Sequence, residues 1–485
     1  MKLHEHKTKI VCTIGPACGE TDVIEAMIAA GMNVARLNLS HGNPEQWKRY
    51  IKNIESAAGK CRRTIGILAD LPGAKIRVGK ILNEPLELKK GASVTLTPDG
   101  ATSLPSRISV EYKKLSDSVK PGSAIYLADG FIELKVDEIY GADVRCTVVM
   151  GGMLTSRKGL NLPGARLFVD RVTEEDLELV KFGLENGISM FGISFVENAG
   201  DVLKVKDYAE SLGKYVFAVA KIERAEAVKN IAEILNAADG IMIARGDLGV
   251  ETPIEEVPMV QKRLIAQANL SGKPVITATQ MLESMKNNTR PTRAEVSDVA
   301  NAIMDGTDAI MLSEETAVGD YPVETVEMMS SIAAFAETQK MTNCRQAELR
   351  EYLKRLSDQG TLTIPDVISR NSAVAADALS ARYIITPTET GGTARRVSRF
   401  KPVCRIIAFS RNENTCRSLT LSYGVWPYLF DNNGTKWHEA IIKFMSAGRM
   451  IDENDTLVIA EGRFSNKPGG TDSLEILTVS KEMLQ

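Results

Sequence analysis

Several things are scarce in this chain, and each scarcity closes off a class of protein. Its seven cysteines (Cys12, Cys18, Cys61, Cys146, Cys344, Cys404 and Cys416) are odd in number and scattered, with no C-x-x-C pair. Neither a disulfide framework nor a thiolate metal cluster is expected from that pattern. The four histidines, His4, His6, His41 and His438, make no zinc arrangement, so any metal should be a hard, oxygen-liganded ion. No apolar run approaches the ~20 residues needed to cross a bilayer, and the stretch Met1 to Lys7 has no secretory apolar segment. Charge of one sign is not concentrated either. The formal net charge is −3 with no polybasic run, so nothing attracts nucleic acid or an anionic membrane wholesale. The expectation is a cytoplasmic protein, without nucleic-acid or membrane partners, that holds any anionic ligand in local sites.

What is present is ordinary globular material: 44% hydrophobic and 25% charged residues in 485, a length that points to two or three domains. Short β-branched runs recur at 10–14, 33–37 and 64–68, separated by segments of helical spacing. In the first of these segments Val23, Met27 and Ala30 share a face, with Thr21 or Asp22 as the expected cap and Gly31 as the stop. The same rhythm resumes at 189–193, 215–219, 240–244, 274–278 and 309–312. Before the last run stands the capping box Thr292-Arg293-Ala294-Glu295, with a stop at Gly306. Three runs and five make eight, which predicts an α/β fold built on a parallel (β/α)8 barrel. The roughly one hundred residues between the third and fourth runs alternate in the β manner, as in Ser93 to Thr97 and Ala142 to Val148. They read as a β-rich domain inserted in a barrel loop. A polar stretch from Thr338 to Pro365 leads to strands at 383–385 and 405–409 and a smaller C-terminal α/β domain. The expected boundaries are 1–71 and 171–345 for the barrel, 72–170 for the insert and 346–485 for the last domain.

Barrel enzymes work at the C-terminal ends of their strands. Just past the eight apolar runs this chain carries Arg36, Asn38, Ser40 and His41, then Asp70, Ser194, Lys221 and Glu223, Arg245 to Asp247, Thr279, and Ser313 to Glu315. One charged strand end is commonly only a solvated rim. Lys221 and Glu223, two apart on one strand, must point into the same space, and a whole mouth of converging charge is costly to build for structure alone. Glu223 and Asp247 suit Mg²⁺ or Mn²⁺, while Arg36 and Lys221 suit a phosphoryl group. Metal and cations around phosphate indicate phosphoryl transfer. The usual kinase loops are missing: Cys61, Ile81, Tyr215 and Pro274 follow the four Gly-Lys pairs, which rules out a Walker A loop.

Four blocks carry a resemblance: Thr8 to Pro16 (TKIVCTIGP), Gly31 to Asn38 (GMNVARLN), Ala278 to Met285 (ATQMLESM) and Arg290 to Glu295 (RPTRAE). In that order they closely resemble the pyruvate kinase family, and the likeness runs nearly end to end. It implies a TIM barrel with an inserted, β-barrel-like B domain and a C-terminal effector domain, in a homotetramer of the glycolytic pathway. It implies transfer of phosphate from phosphoenolpyruvate to ADP, giving pyruvate and ATP. By the resemblance Glu223 and Asp247 would hold the divalent ion, Lys221 would offset charge on the transferring group and Arg36 would clamp it. Ser194 and the backbone of Gly246 and Asp247 would meet substrate, and Thr279 would lie on the proton path to the enolate. Asn38, His41 and Arg77 would meet the nucleotide, although on residue type His41 is equally a plain cap. Asn38, Ser40, Asp70 and Leu71 would line a monovalent-cation pocket.

Where many members have a glutamate before Ile-Arg, this chain has Lys75 before Ile76-Arg77. An ammonium on a flexible stem can supply the charge a bound K⁺ would bring, so no potassium requirement is expected. Glu175 stands where the family often has a lysine, and Glu314 where many members have glycine; the latter change has no functional reading from sequence. The stretch Thr386, Thr388, Thr390, Gly391, Gly392 and Thr393 enters a helix after a strand and can present amides and hydroxyls to a phosphate. It resembles the family's effector loop, with Pro468 to Thr471 facing it, and a sugar phosphate or nucleotide effector is expected there. Two other readings compete: a metal-dependent aldolase or lyase of pyruvate enolate on a similar barrel, against which the inserted domain argues, and a catalytically silent sensor of phosphorylated metabolites, against which the joint presence of Arg36, Lys221, Glu223, Asp247 and Thr279 argues.

Overall fold

The computed structural model describes residues 4–98, 103–104, 106–339, 343–431, 437–462 and 470–484, with backbone alone at 343–348 and 350. Strands β1 (Lys9–Thr13), β2 (Val34–Asn38) and β3 (Gly66–Asp70) open the barrel. The insert follows with β4 (Leu86–Leu88), β5 (Ser93–Thr97), β6 (Arg107–Ser109), β7 (Ala124–Leu127), β8 (Ile132–Tyr140), β9 (Asp143–Met150), β10 (Gly152–Leu154) and β11 (Leu160–Asn161). The barrel is completed by β12 (Met190–Ile193), β13 (Phe217–Ile222), β14 (Gly240–Ala244), β15 (Val275–Ala278) and β16 (Ala309–Leu312). These eight close in the order β1-β16-β15-β14-β13-β12-β3-β2 with every pairing parallel.

The barrel's inward rows explain both its stability and its chemistry. Val11, Val34, Leu68, Met190, Phe217, Val219, Met242 and Ile276 form one buried apolar cluster, joined by Leu421 from the C-terminal domain. Burying each such side chain contributes on the order of 1.5–3 kcal/mol. Because side chains alternate across a strand, the same inward rows continue upward as Arg36 and Asn38, Asp70, Ser194, and Lys221 and Glu223. Each row therefore turns from apolar to polar as it nears the C-terminal mouth. The outward rows, among them Ile10, Cys12, Ile67 and Phe191, pack with the surrounding helices into the larger core.

The helix Arg293–Asp305 has the reciprocal capping box Thr292/Glu295 and ends at Gly306, whose φ of +95 needs a residue without a Cβ. The helix Thr21–Ala30 ends at Gly31 as expected, but its N-cap is Glu20 with no side-chain cap bond. Thr21 and Asp22 lie inside the first turn, where Asp22 faces the positive end of the helix dipole instead of capping it.

In the insert, β11-β7-β8-β9-β5-β6 form a six-stranded sheet beside the ribbon β10-β4. They enclose a core of their own that includes Val94, Leu96, Ile125, Leu134 and Val148. The polar stretch after Thr338 contains the helix Asn343–Asp358, followed by the helix Ile364–Ala378. The C-terminal domain is a five-stranded sheet in the order β19 (Val425–Leu429), β18 (Arg405–Ser410), β17 (Tyr383–Pro387), β20 (Thr456–Glu461) and β21 (Ser473–Thr478), the last antiparallel. Among the described residues, no helix is long and apolar enough to cross a membrane.

The C-terminal domain is fastened beneath the barrel by a buried ion pair. Lys401 Nζ lies 2.6 Å from Asp308 Oδ1, with side chains only 3% and 5% exposed. Asp308 also accepts from the Tyr423 amide at 3.1 Å and the Val275 amide at 3.1 Å. Removing one member of such a pair strands a buried charge. Lys401→Met is expected to cost about 3–5 kcal/mol, read as a lowered thermal or denaturant midpoint; a midpoint equal to the parent's would show that Asp308 does not depend on this partner.

Candidate active site

Asp70, at the top of β3 and 1% exposed, anchors the mouth. Its Oδ2 accepts from Arg36 Nε at 2.7 Å and Nη2 at 2.6 Å, and its Oδ1 lies 3.1 Å from Lys221 Nζ. Arg36 also donates to Thr13 Oγ1 at 2.9 Å. Lys221 in turn donates to Ser194 Oγ at 2.7 Å and pairs with Glu223 Oε1 at 2.9 Å, while Glu223 Oε2 accepts from the Phe195 amide at 2.7 Å. Ser194 donates onward to the Leu71 carbonyl at 2.6 Å. Gly192 makes the room: a Cβ there would sit 3.2 Å from Asp70 Oδ1 and 3.6 Å from Lys221 Cδ.

The charges are set by their neighbours. Burial alone would raise Asp70, but the Lys221 ammonium and Arg36 guanidinium hold its carboxyl below the usual carboxylate range. Burial alone would lower Lys221; Asp70 and Glu223 outweigh it and keep the amine above its ordinary value. Glu223 is pushed up by burial, opposed by Lys221 and pushed further by the nearby Asp247.

Asp247 lies in the first turn of the helix Arg245–Glu251. It is met by Lys75 Nζ at 2.9 Å, and that ammonium is also 3.8 Å from Asp129 of the insert. Thr279 Oγ1 accepts from the Gly246 amide at 2.9 Å and donates to the Ala278 carbonyl at 2.6 Å. Thr279 and Gln280 both hold left-handed backbones, φ +69 and +53, a strain of about 1–3 kcal/mol each that persists only where the surroundings enforce it. Arg245 enforces it. Its guanidinium donates to the Thr279 carbonyl at 2.6 Å and the Gln280 carbonyl at 3.2 Å, and is braced by Asp298 at 2.7 Å. Sequence reasoning placed Arg245 at a strand end without a role, because its partners lie about thirty to fifty positions away.

Glu223 and Asp247 fit a divalent ion. Among the described residues there is no group of three or more His, Cys, Asp or Glu that could hold a metal. The two carboxylates, Asp247 near enough to push Glu223 up, would supply part of the oxygen shell such an ion needs, with the remainder from water and substrate.

Beside the network a cleft of about 690 Å³ opens, lined by Arg36, Asn38 and His41 among others. His41 is no helix cap: Asn43 caps the helix Pro44–Cys61, and the His41 carbonyl accepts from Trp47 Nε1 at 2.8 Å. Arg77 does not line this cleft. It sits in the insert, donating to the Arg157 carbonyl at 3.1 Å. Lys75, the expected stand-in for a monovalent cation, is engaged with Asp247 at 2.9 Å. Asn38 Oδ1 accepts from the Ser40 amide at 3.2 Å. Glu175 is exposed in the first turn of the helix Glu174–Glu185.

In the C-terminal domain Thr386 is fully buried on β17, and Thr388 Oγ1 accepts from the Gly391 amide at 3.0 Å. Gly392 opens the helix Gly392–Ser398, Thr393 bonds Thr471 at 2.6 Å, and the Thr390 carbonyl accepts from Arg395. Pro468 and Gly469 of the facing stretch lie outside the described residues.

Fold and site together define a class: a parallel-barrel enzyme with a cationic, carboxylate-bearing mouth beside an inserted β domain. The family description "Pyruvate kinase, barrel domain" matches residues 5–326 and "Pyruvate kinase, alpha/beta domain" matches residues 366–477. The pyruvate kinase of Thermococcus litoralis is 48% identical over 479 residues, covering 99% of this chain and 100% of its own. That of Geobacillus stearothermophilus is 42% identical over 483 residues, 98% of this chain and 81% of its own. Pyruvate kinase 2 of Synechocystis is 42% identical over 479 residues, covering 98% and 79%. The chain belongs to the pyruvate kinase family, and is accordingly a phosphotransferase of the couple phosphoenolpyruvate plus ADP to pyruvate plus ATP.

The depressed pKa of Asp70 fixes a sign. Its contribution to stability is fully present above the ordinary carboxylate value near ~4 and is lost as pH falls through the lowered one. Asp70→Asn, which strands Arg36 and Lys221, should cost about 3–5 kcal/mol at neutral pH. The gap from the parent should narrow only in acid; a gap unchanged down to pH values well below ~4 would contradict an ionised Asp70.

Proposed function

We propose that the reaction runs at the Asp70-centred network, with Lys221 as the group that meets the transferring phosphoryl. The observation that carries this reading is a Lys221 ammonium fixed at once by Asp70, Ser194 and Glu223, beside the Arg36 guanidinium. In a loose, metaphosphate-like transition state there is little bonding for a protein to do, and positioned charge supplies most of the catalysis. Lys221 offsets charge on the equatorial oxygens and Arg36 clamps them, each already oriented before substrate arrives. The family works with a divalent metal, and Glu223 and Asp247 are the residues that would hold Mg²⁺ or Mn²⁺; when bound it would supply positive charge to substrate oxygens.

The amides of Gly246 and Asp247 receive the substrate carboxylate at the start of their helix. The Gly246 amide exchanges its Thr279 partner for that ligand, which frees the Thr279 hydroxyl to pass a proton, through water, toward the enolate carbon. Asn38 and His41 meet nucleotide in the adjoining cleft. Arg77 belongs to the insert and reaches the nucleotide when that domain closes as a lid, excluding water. Lys75 brings its ammonium into the mouth and stands in for K⁺. Regulation by a phosphorylated effector at Thr386 to Thr393, a homotetramer and a cytoplasmic location complete the reading.

The direct test couples pyruvate formation to a readout, starting from phosphoenolpyruvate and ADP with Mg²⁺. The parent should turn over, and Lys221→Met should lose about 100- to 1000-fold in kcat, the scale for one preorganised charge-stabilising donor. Equal rates would remove Lys221 from this role, and no pyruvate from the parent would end the reading. For the cation, the parent should work in Na⁺ buffer free of K⁺ and respond little to added K⁺, whereas Lys75→Glu should become K⁺-activated; strong K⁺ stimulation of the parent refutes the substitution.

A further inference from the structure

Glu314 has no part in the network around Asp70, yet it lines the same cleft as Arg36, Asn38 and His41. Lys286 lines it too, and the two pair across it, Nζ to Oε2 at 2.5 Å. Lys286 ends the short turn Glu283–Lys286 after β15, and Glu314 opens the helix Glu314–Ala317 after β16. The backbones beneath them are locked together. Buried Glu315 accepts from the Ser313 amide at 2.6 Å and the Leu282 amide at 3.2 Å, and the Lys286 carbonyl accepts from the Asp320 amide at 2.8 Å. The pair itself is wet, with side chains 36% and 61% exposed. A fixed base with solvated tips is an arrangement in which partners exchange at little cost.

The charges in the cleft say what would exchange. Arg36 is held in place by Asp70 and Thr13 and is assigned to the transferring phosphoryl, so Lys286 is the lining lysine left to turn to the phosphates of the nucleotide itself, and Glu314 is what it must leave. We infer that Lys286 and Glu314 form a charge filter for the nucleotide: Lys286 passes from Glu314 to a nucleotide phosphate, and the abandoned carboxylate penalises the extra negative charge of the triphosphate over the diphosphate. The cleft thereby accepts ADP and sheds ATP. This rests on the reading of the cleft as the nucleotide site. It gives Glu314 a function: a glycine there would leave Lys286 attractive to both nucleotides alike.

The test is calorimetric binding of ADP and of ATP, each with Mg²⁺ and without phosphoenolpyruvate, to the parent, Glu314→Gln and Lys286→Met. Both positions are solvent-exposed, and matched melting curves confirm that the variants fold. Glu314→Gln should tighten ATP by about three- to tenfold and ADP by less, lowering the preference for ADP, a size expected of one carboxylate acting across a solvated cleft. Lys286→Met should weaken both nucleotides. An unchanged ADP-to-ATP affinity ratio in Glu314→Gln, in an enzyme whose parent binds nucleotide and forms pyruvate, overturns the filter alone. A parent that makes pyruvate but whose nucleotide affinity ignores both substitutions places the nucleotide elsewhere, and overturns the filter with the cleft assignment.

Discussion

One buried carboxylate sets the terms for the rest of this site. Asp70 stands on the inward row of β3, with almost no access to solvent, and is tolerable there only because Arg36 from the adjacent β2 and Lys221 from β13, one strand beyond its other neighbour, close on it. The converse also holds. Two cations buried side by side would repel each other and lose their charge or their place without Asp70 between them. The cluster is thus a single electrostatic unit, and its outer faces, Lys221 toward Glu223 and Arg36 toward the cleft, are what a phosphorylated ligand would find preoriented. The apolar lower rows of the barrel, plugged by Leu421, provide the dry floor that makes these charges strong.

Around that rigid centre lies a second tier whose contacts can be exchanged. Lys75 rests on Asp247, the Gly246 amide rests on Thr279, and Lys286 rests on Glu314. Each pairing occupies a group that the reaction would claim, so the protein fills its own site with weak, partly solvated partners. Arg245 separates the tiers. By holding Thr279 and Gln280 in left-handed backbone, it aims the threonine hydroxyl while leaving its hydrogen bonds free to change.

The eight barrel strands were legible because each is a short apolar run with a polar residue at its end, and the observed strands begin and end within three residues of those runs. The convergence of Arg36, Asp70, Ser194, Lys221 and Glu223 followed from strand alternation once a closed barrel was assumed. Other features were not legible. The resemblance made Lys75 a stand-in for a monovalent cation, but its partner Asp247 lies 172 positions away and no local pattern announces that contact. Arg77 likewise follows the insert, because its position is set by the pairing of Arg77 with Gly159. Arg245 and the Lys286–Glu314 pair depend on partners distant in sequence, which no periodicity announces. The cap of the first helix was missed by one or two positions, since Glu20 supplies backbone geometry without a side-chain bond.

If Asp70 and Lys221 act as one unit, their removal cannot be counted twice. The most direct test is a double-mutant cycle on kcat/KM for pyruvate formation with Asp70→Asn, Lys221→Met and the double variant, each checked for folding. The account predicts strong non-additivity, with the double variant about as impaired as the worse single one. Losses that simply multiply would show that the two residues act independently and would contradict the central claim.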